Sequence, residues 1–175
     1  RLGLAARADA ALGQPAVAIT DHANLFSLVK FHKAAEAAGI KPVTGADILL
    51  AEGDEAPTRL TLLCRDNAGY LALSRLLTRA WMEGQRHDGV VVRPNWLHED
   101  NAGLFMLAGR DSEAGRLAAA GRHDLAAQWL ADLQRHSGGN AHLEITRTGR
   151  EGEETFNSFA VQAAAARGIP LVASN

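Results

Sequence analysis

The sequence predicts an α/β domain with a largely parallel sheet, and three observations support this fold class. Short apolar runs with strand character alternate with amphipathic segments long enough for helices, which is the pattern of βαβ units. Hydrophobic residues make up 47% of the 175 residues, enough to bury an ample core. No low-complexity tract, repeat of fixed period or internal linker interrupts the pattern, so residues 1–175 are predicted to form one domain.

The first strand and the loop after it organise the chain. The apolar run Ala16–Ile19 ends at Thr20 and is followed at once by Asp21 and His22. Such a run is typical of a buried parallel strand, and loops at the carboxyl ends of parallel strands build functional sites. A carboxylate beside an imidazole there can bind a divalent metal or exchange protons. The alternative is that Asp21 caps the next helix and His22 is a surface residue.

Two further strands and several helices follow from periodicity and from turn residues. Pro42–Leu50 and Arg59–Cys64 flank a short turn and are predicted to form a hairpin. Asp66 is the predicted N-cap of a long helix, and the polar stretch 84–95 is predicted to be a loop. The remaining predictions, in order, are helices Arg1–Leu12, Leu25–Ala38 and Ala68–Glu83, a helical turn Pro94–Leu97, strand Gly103–Gly109, helices Ser112–Ala120 and His123–Arg135, strand His142–Thr146, helix Glu151–Arg167 and strand Leu171–Ser174.

Composition excludes several classes of function. A net charge of −2 and a pI near 6.4 argue against a domain that binds nucleic acid by itself, because phosphate contacts require clustered Lys and Arg. No apolar run approaches the length of a membrane span, and no signal peptide is visible. The lone Cys64 fits a reducing cytoplasm and is predicted to be a small buried hydrophobe rather than a nucleophile. P-loop, GxGxxG and GxSxG motifs are absent.

The candidate metal ligands are few. Asp21 and His22 follow the first strand, and Asp47 lies on the second. Two carboxylates and one imidazole can hold one divalent ion but fall short of the set that a multi-metal hydrolase needs. At other strand ends, Arg110 would repel a cation and Thr148 is not a useful ligand. The other histidines are predicted to be surface or loop residues rather than ligands: His32, His87, His98, His123, His136 and His142.

Five segments carry a resemblance to a known family. They are AVAITDHANLFSLVKFHKAAEAAGIKPVTGADILL (Ala16–Leu50), LLCRDNAGYLALSRLLTRA (Leu62–Ala80), GLFMLAGR (Gly103–Arg110), LEITRTGREGEE (Leu143–Glu154) and GIPLVASN (Gly168–Asn175). Through them the chain resembles the PHP (polymerase and histidinol phosphatase) domain at the amino terminus of bacterial DNA polymerase III alpha subunits. It looks most like the proteobacterial branch, with TRTG and GAD where metal-binding relatives carry NHG and GxE.

The resemblance implies a distorted parallel β/α barrel of the seven-stranded PHP type, incomplete at both ends. The strand with the family's HxH motif would precede Arg1, and the loop with its DxH motif would follow Asn175. The sequence is therefore expected to be a single PHP domain fragment that lacks its first strand and final loop.

Position by position, the resemblance assigns the site as follows. Asp21 and His22 match the family's TDH, and Asp47 matches its acidic ligand, shortened from Glu, so these three are vestigial metal candidates. Arg110 stands at a Cys ligand position and Thr148 at a His position, so both are degenerate. Replacing a thiolate by a guanidinium removes a ligand and adds a fixed positive charge. No catalytic residue and no cofactor is therefore expected, with weak residual binding of Zn²⁺, Mn²⁺ or Mg²⁺ left open.

The function implied is that of a non-catalytic scaffold within a DNA-directed DNA polymerase of replication. Its expected partners are the other domains of the polymerase alpha subunit and the proofreading exonuclease (epsilon) subunit, with DNA bound through the parent polymerase. One alternative is an active metal-dependent phosphoesterase, either a 3′–5′ exonuclease or a pyrophosphatase. Others are a domain of an error-prone polymerase relative and a free-standing phosphatase of the histidinol-phosphate type. The expected localisation is cytoplasmic, with no membrane partner.

Overall fold

The computed structural model describes residues 11–87 and 89–174. The predicted helix Arg1–Leu12 and the strand-end residue Asn175 lie almost wholly outside these ranges. The strands are β1 (Ala16–His22), β2 (Lys41–Leu50), β3 (Thr58–Cys64), β4 (Gln85–Arg86), β5 (Gly89–Val90), β6 (Leu104–Ala108), β7 (Ala141–Ile145) and β8 (Leu171–Ala173). The helices are α1 (Leu28–Ala37), α2 (Asn67–Glu83), α3 (Pro94–Glu99), α4 (Glu113–Ala119), α5 (His123–His136) and α6 (Glu153–Arg167).

One sheet organises the fold, with strand order β1-β2-β3-β6-β7-β8. Parallel pairing joins β1 to β2 and also β6, β7 and β8, whereas β3 is antiparallel to both of its neighbours. The predicted β2–β3 hairpin is confirmed. Its short connection explains why β3 runs against the other strands of the sheet, because a parallel return would require a long crossover.

The sheet is curled into an incomplete barrel. Its two outermost strands, β1 and β8, both contribute residues to the same cleft on the concave side. A flat six-stranded sheet would hold these strands far apart, at about 4.8 Å per strand. The predicted fold class, an α/β chain with a distorted and incomplete β/α barrel, is confirmed.

Strand periodicity separates the core from the cleft. On β2, Ala46 and Ile48 are fully buried, whereas Asp47 between them lines the cleft. On β3, Leu60 and Leu62 are fully buried and Thr61 lines the cleft. Because successive side chains of a strand point to opposite faces, the apolar face packs against the helices and the concave face carries the polar residues.

Three predicted boundaries are corrected. Helix α1 begins at Leu28 rather than Leu25, because the side chain of Asn24 accepts a hydrogen bond from the backbone of Phe26 (2.9 Å) and holds a turn there. Helix α6 begins at Glu153 rather than Glu151, since Gly152 has a φ of +81°. The predicted loop 84–95 contains the β4–β5 ladder and the first residues of α3.

Helix α2 confirms the predicted N-cap. The carboxylate of Asp66 accepts a hydrogen bond from the backbone N–H of Gly69 at 3.0 Å. None of the helices in the described part of the chain is both long and apolar enough to cross a membrane.

Candidate functional site

The candidate site is the cleft on the concave side of the sheet, with a volume of about 600 Å³. All six strands of the sheet, or the loops that follow them, contribute to its lining. Carboxylates, guanidinium groups and hydroxyls line it together, so its charge is mixed. The polar lining residues are Thr20, Asp47, Arg59, Thr61, Arg110, Asp111, Glu144, Thr146, Thr148, Arg150, Glu153 and Ser174.

Asp47 lies inside the cleft with partners on both carboxylate oxygens. The hydroxyl of Thr61, its register partner on β3, donates a hydrogen bond to Oδ1 at 2.5 Å. The guanidinium of Arg59 lies 3.6 Å from Oδ2 and also lies 3.8 Å from the carboxylate of Asp111. Arg59 therefore lies between the carboxylate of Asp47 on β2 and that of Asp111 in the turn after β6.

Arg110 extends this row of charges. Its Nη2 lies 2.8 Å from Oδ1 of Asp111, and its Nη1 donates to the backbone carbonyl of Glu151 at 2.8 Å. The side chains of Asp47, Arg59, Asp111 and Arg110 thus form an alternating ion-pair row along one wall of the cleft. Several of these groups are partly exposed, so each pair contributes little to stability. Their local consequence is that guanidinium groups neutralise the two carboxylates of the row.

The loop after β7 is closed around one carboxylate, that of Glu153. The Thr148 hydroxyl donates to it at 2.6 Å and the Thr146 hydroxyl at 2.9 Å. The backbone N–H groups of Thr148, Gly149 and Arg150 also donate to it, at 2.8, 2.9 and 3.3 Å. Thr148 is therefore a partner of Glu153.

These hydrogen bonds lower the pKa of Glu153 to about 2, with the Thr148 hydroxyl as the largest cause, followed by Thr146 and the backbone N–H groups. Burial acts in the opposite direction, since only 5% of the residue is exposed. Glu153 is not among the site residues predicted from the sequence. The available signal was an acidic residue in the first turn of a helix that follows a glycine turn.

Asp21 and His22 lie at the end of β1 but point to opposite faces of the sheet, because strand side chains alternate. The carboxylate of Asp21 accepts a hydrogen bond from the backbone N–H of Ser27 at 2.6 Å, just ahead of α1. Asp21 is therefore not the N-cap of α1, which is Ser27, but it binds the backbone of that N-cap residue. His22 is exposed and is the register partner of Asp47, so these two residues share the concave face.

The donor set does not fit a metal cluster. Asp47 is engaged by Thr61 and Arg59, Asp21 by the backbone of Ser27, and Arg110 places a positive charge in the same cleft. Across residues 11–87 and 89–174, no group of three His, Cys, Asp or Glu side chains is arranged to hold a metal ion. No chemical step can be derived through a metal from these residues.

Five of the other histidines make contacts that do not involve Asp21, His22 or Asp47. His98 and His136 stack with ring centroids 3.7 Å apart, and burial together with the neighbouring His136 lowers the pKa of His98. His142 packs edge-on against Phe105. Further contacts join His123 to Phe159 and His32 to Glu36.

Cys64 is half-buried at the end of β3, and burial, assisted by the charge of Asp66, raises its pKa to about 11. We expect alkylation by iodoacetamide at pH 8 to be about a hundredfold slower than for an ordinary thiol, because the thiolate is the reactive form and its fraction falls tenfold per pKa unit. The urea-unfolded protein is the control and should react at the ordinary rate. Equal rates in the two states would contradict the prediction.

Comparison with known proteins gives a consistent set of relatives. Residues 3–148 match the family model described as PHP domain. The chain is 58% identical over 165 residues to DNA polymerase III subunit alpha of Xylella fastidiosa, covering 94% of this chain and 14% of that protein. It is 43% identical over 170 residues to the same subunit of Escherichia coli, covering 95% and 15%. The chain therefore spans about one seventh of the length of these relatives.

Two solved structures share the fold. A candidate metal-dependent phosphoesterase from Bifidobacterium adolescentis superposes with a TM-score of 0.67 at 12% identity, covering 99% of this chain and 80% of that one. An amidohydrolase from Chromobacterium violaceum superposes with a TM-score of 0.60 at 15% identity, covering 97% and 80%. At such identities the likeness concerns the fold alone.

Proposed function

Because the chain belongs to the PHP domain family, we propose that it is the PHP domain of a DNA polymerase III alpha subunit and acts there as a non-catalytic scaffold. The similarity to such subunits over nearly the whole chain supports this identity. In this proposal, template-directed DNA synthesis during replication is performed by other parts of the polymerase. The domain itself would support those parts and would bind the proofreading exonuclease (epsilon) subunit, in the cytoplasm.

The observation that carries the scaffold role is the ion-pair row of Asp47, Arg59, Asp111 and Arg110. A divalent cation at Asp47 would have to displace the Arg59 guanidinium from between its two carboxylates. The cation would also share the cleft with the positive charge of Arg110, whereas a metal site needs electron-pair donors. The guanidinium groups of Arg59 and Arg110 thus neutralise the acidic residues of the row, as metal ions do in a hydrolytic site.

A second support is the closed loop around Glu153. The carboxylate of Glu153 accepts five hydrogen bonds, from the hydroxyls of Thr146 and Thr148 and from three backbone N–H groups. Donors of this kind could otherwise bind a phosphate group. Their commitment to an internal carboxylate favours a structural role for the loop.

The alternative function is a metal-dependent phosphoesterase. It is favoured by one observation: His22 and Asp47 face the concave side in register, beside an open cleft of about 600 Å³. A cleft of this volume can hold a small phosphate ester.

Metal analysis of the full-length protein separates the two functions. After purification without chelator, plasma mass spectrometry is expected to find fewer than one divalent ion per chain, because the donors are few and already engaged. The content should be the same in Asp21→Ala, in His22→Ala and in the control His32→Ala, whose side chain lies on the outer face of α1. Any phosphatase activity should also be unaffected by Asp21→Ala. Two or more tightly held ions, with activity lost in Asp21→Ala, would instead establish the phosphoesterase.

A further inference from the structure

A second cavity, with a volume of about 350 Å³, lies between the connection that joins β2 to β3, helix α3 and helix α5. None of the described residues lines both this cavity and the cleft. Part of its lining is apolar, because the buried side chains of Leu50, Leu97 and Leu133 contribute to it. Cavities of this size that combine apolar walls with a few polar groups are typical of sites for small ligands.

One polar side chain of the second cavity is buried and has no partner. Thr58, the register partner of Leu50, is only 8% exposed, and within residues 11–87 and 89–174 its hydroxyl makes no hydrogen bond. This hydroxyl is not among the polar atoms that the protein fully encloses, so it is open to the cavity that Thr58 lines. A buried hydroxyl without a partner costs free energy, and a ligand that forms a hydrogen bond with it would recover that cost.

The charged groups that line the second cavity are carboxylates. Its described lining contains four of them and neither lysine nor arginine. Two pair with arginines of their own helices: Glu113 with Arg116, and Asp132 with Arg135. The carboxylates of the other two, Glu52 and Glu55, form no ion pair and no hydrogen bond in the described part of the chain. The cavity therefore presents two unpaired negative charges beside an apolar wall.

The turn that carries these two glutamates is held by its backbone. The N–H of Glu55 donates to the carbonyl of Glu52 at 3.1 Å. The guanidinium of Arg86 donates to the carbonyls of Gly53 and Glu55 at 3.3 and 3.0 Å. The turn is thus fixed before a ligand arrives, which lowers the entropic cost of binding.

We propose that the second cavity binds a primary ammonium group carried on an apolar stem. The stem would lie against the leucines, and the ammonium would donate to the Thr58 hydroxyl and to the carboxylates of Glu52 and Glu55. A primary ammonium has three N–H donors, which matches these three acceptors. The two carboxylates would repel an anion, and a purely apolar ligand would leave the Thr58 hydroxyl without a partner.

Two sources can supply this group: a free amine, or a lysine side chain from elsewhere in the full-length protein. The experiment below distinguishes them. The proposal does not depend on the scaffold function, since the second cavity is separate from the cleft.

The test uses the full-length protein with phenethylamine as the probe and phenethyl alcohol as its neutral analogue. In titrations followed by saturation-transfer NMR at neutral pH, the amine should bind at least about tenfold more tightly than the alcohol. Glu52→Gln/Glu55→Gln should weaken binding of the amine at least about tenfold and leave that of the alcohol within about twofold. Thr58→Val should weaken binding of the amine about fivefold. Without the probe, Thr58→Val should not lower the melting temperature, because it removes a buried hydroxyl that has no partner.

Two further variants serve as controls. Asp124→Asn/Glu154→Gln removes two exposed carboxylates that lie outside the second cavity, and it should leave the affinity for the amine within about twofold. Ala56→Trp places a large side chain at an exposed position on the rim of the cavity, so it should weaken binding of both the amine and the alcohol at least about tenfold. Both variants should melt near the wild-type temperature, because surface changes cost little.

A lysine already in the cavity would exclude the probe. In that case, treatment of the full-length protein with a carbodiimide should join Glu52 or Glu55 to that lysine, and peptide mass spectrometry should find the link in the wild type but not in Ala56→Trp. This result would support the proposal with a lysine as the source of the ammonium group. Equal affinity for the amine and the alcohol would overturn the proposal, as would amine binding that Glu52→Gln/Glu55→Gln leaves intact. The absence of both probe binding and the cross-link would overturn it as well.

Discussion

Replacing Glu153 with alanine is expected to lower the melting temperature of the protein by several degrees, on the order of 5 °C. The substitution leaves two hydroxyls and three backbone N–H groups of the loop 146–150 without their shared acceptor. Unsatisfied donors near a buried position cost stability, so the loop should open. Differential scanning fluorimetry measures the shift. Amide hydrogen exchange should rise at Thr148 and Gly149.

The matched control is Glu154→Ala, an exposed carboxylate in the same first turn of α6. It has the same formal charge and lies one residue further into the same first turn, so it reports the effect of the helix dipole without the loop hydrogen bonds. Its melting temperature should stay within about 1 °C of wild type. A fall in melting temperature as large as that of Glu153→Ala would mean that the hydrogen bonds from the loop to Glu153 do not stabilise the protein.

The Glu153 contribution should depend on pH in a defined direction. Its pKa in the folded protein is about 2, below the ordinary value of 4.5. The stabilisation is therefore fully present well above pH 4.5 and is lost as the pH falls from 4.5 towards 2. The stability difference between wild type and Glu153→Gln, from urea unfolding at successive pH values, should narrow over this interval. A constant difference would contradict the assigned pKa.

The second large effect is expected for Gly115→Ala on α4. A side chain at Gly115 would overlap the backbone carbonyl of Arg110, which cannot move aside as a flexible side chain could. Ser112, almost fully buried, closes the same segment: its hydroxyl donates to the carbonyl of Gly109 at 2.6 Å and accepts from the N–H of Gly115. Helix α4 must therefore shift, and overpacking of this kind costs about 1–3 kcal/mol.

At Gly115, helix propensity favours alanine, whereas packing against Arg110 disfavours it. The sign of the change in the free energy of unfolding therefore shows which of the two effects is larger. Alanine favours a helix over glycine by about 1 kcal/mol, whereas the clash involves main-chain atoms and should reach the upper end of its range. We expect a net loss of about 2 kcal/mol in the free energy of unfolding, measured in urea. The control Ala119→Ser, at an exposed position of the same helix, should change it by no more than about 0.5 kcal/mol. A gain in stability for Gly115→Ala would mean that α4 does not pack as described.

The packing at Gly115 also fixes the turn that carries Arg110 into the candidate site. Gly115 and Ser112 hold the turn after β6 against α4, and Arg110 stands in that turn. The guanidinium of Arg110 is thereby directed towards Asp111 and the carbonyl of Glu151. The turn after β6 thus places the positive charge of Arg110 in the cleft, held by Asp111 and by the carbonyl of Glu151.

Sequence patterns alone identified most elements of this fold. The apolar run of β1 predicts a buried strand, and the short turn between β2 and β3 predicts their hairpin. Asp66 has the side chain of an N-cap and does cap α2. Each of these features is encoded within a few consecutive residues. The predicted start of α1 was wrong, because the side chain of Asn24 bonds to the backbone of Phe26 and forms a turn instead of a helix there. The spacing of hydrophobic residues does not reveal such a turn. The PHP family, which the family model over residues 3–148 confirms, was also readable from the sequence.

What only the tertiary structure decided is which charges meet in the cleft. Asp47 and Arg59 lie on different strands, and Asp111 follows a third, so their pairing depends on strand register and on the curl of the sheet. The division of Asp21 and His22 between two faces, and the closure of the loop around Glu153, depend likewise on backbone geometry. Local composition dictates which segments become strands and helices, because that choice is made over a few residues. Electrostatic contacts between segments distant in sequence arise only once the chain has folded, because they require a distance of a few ångströms that local patterns do not encode.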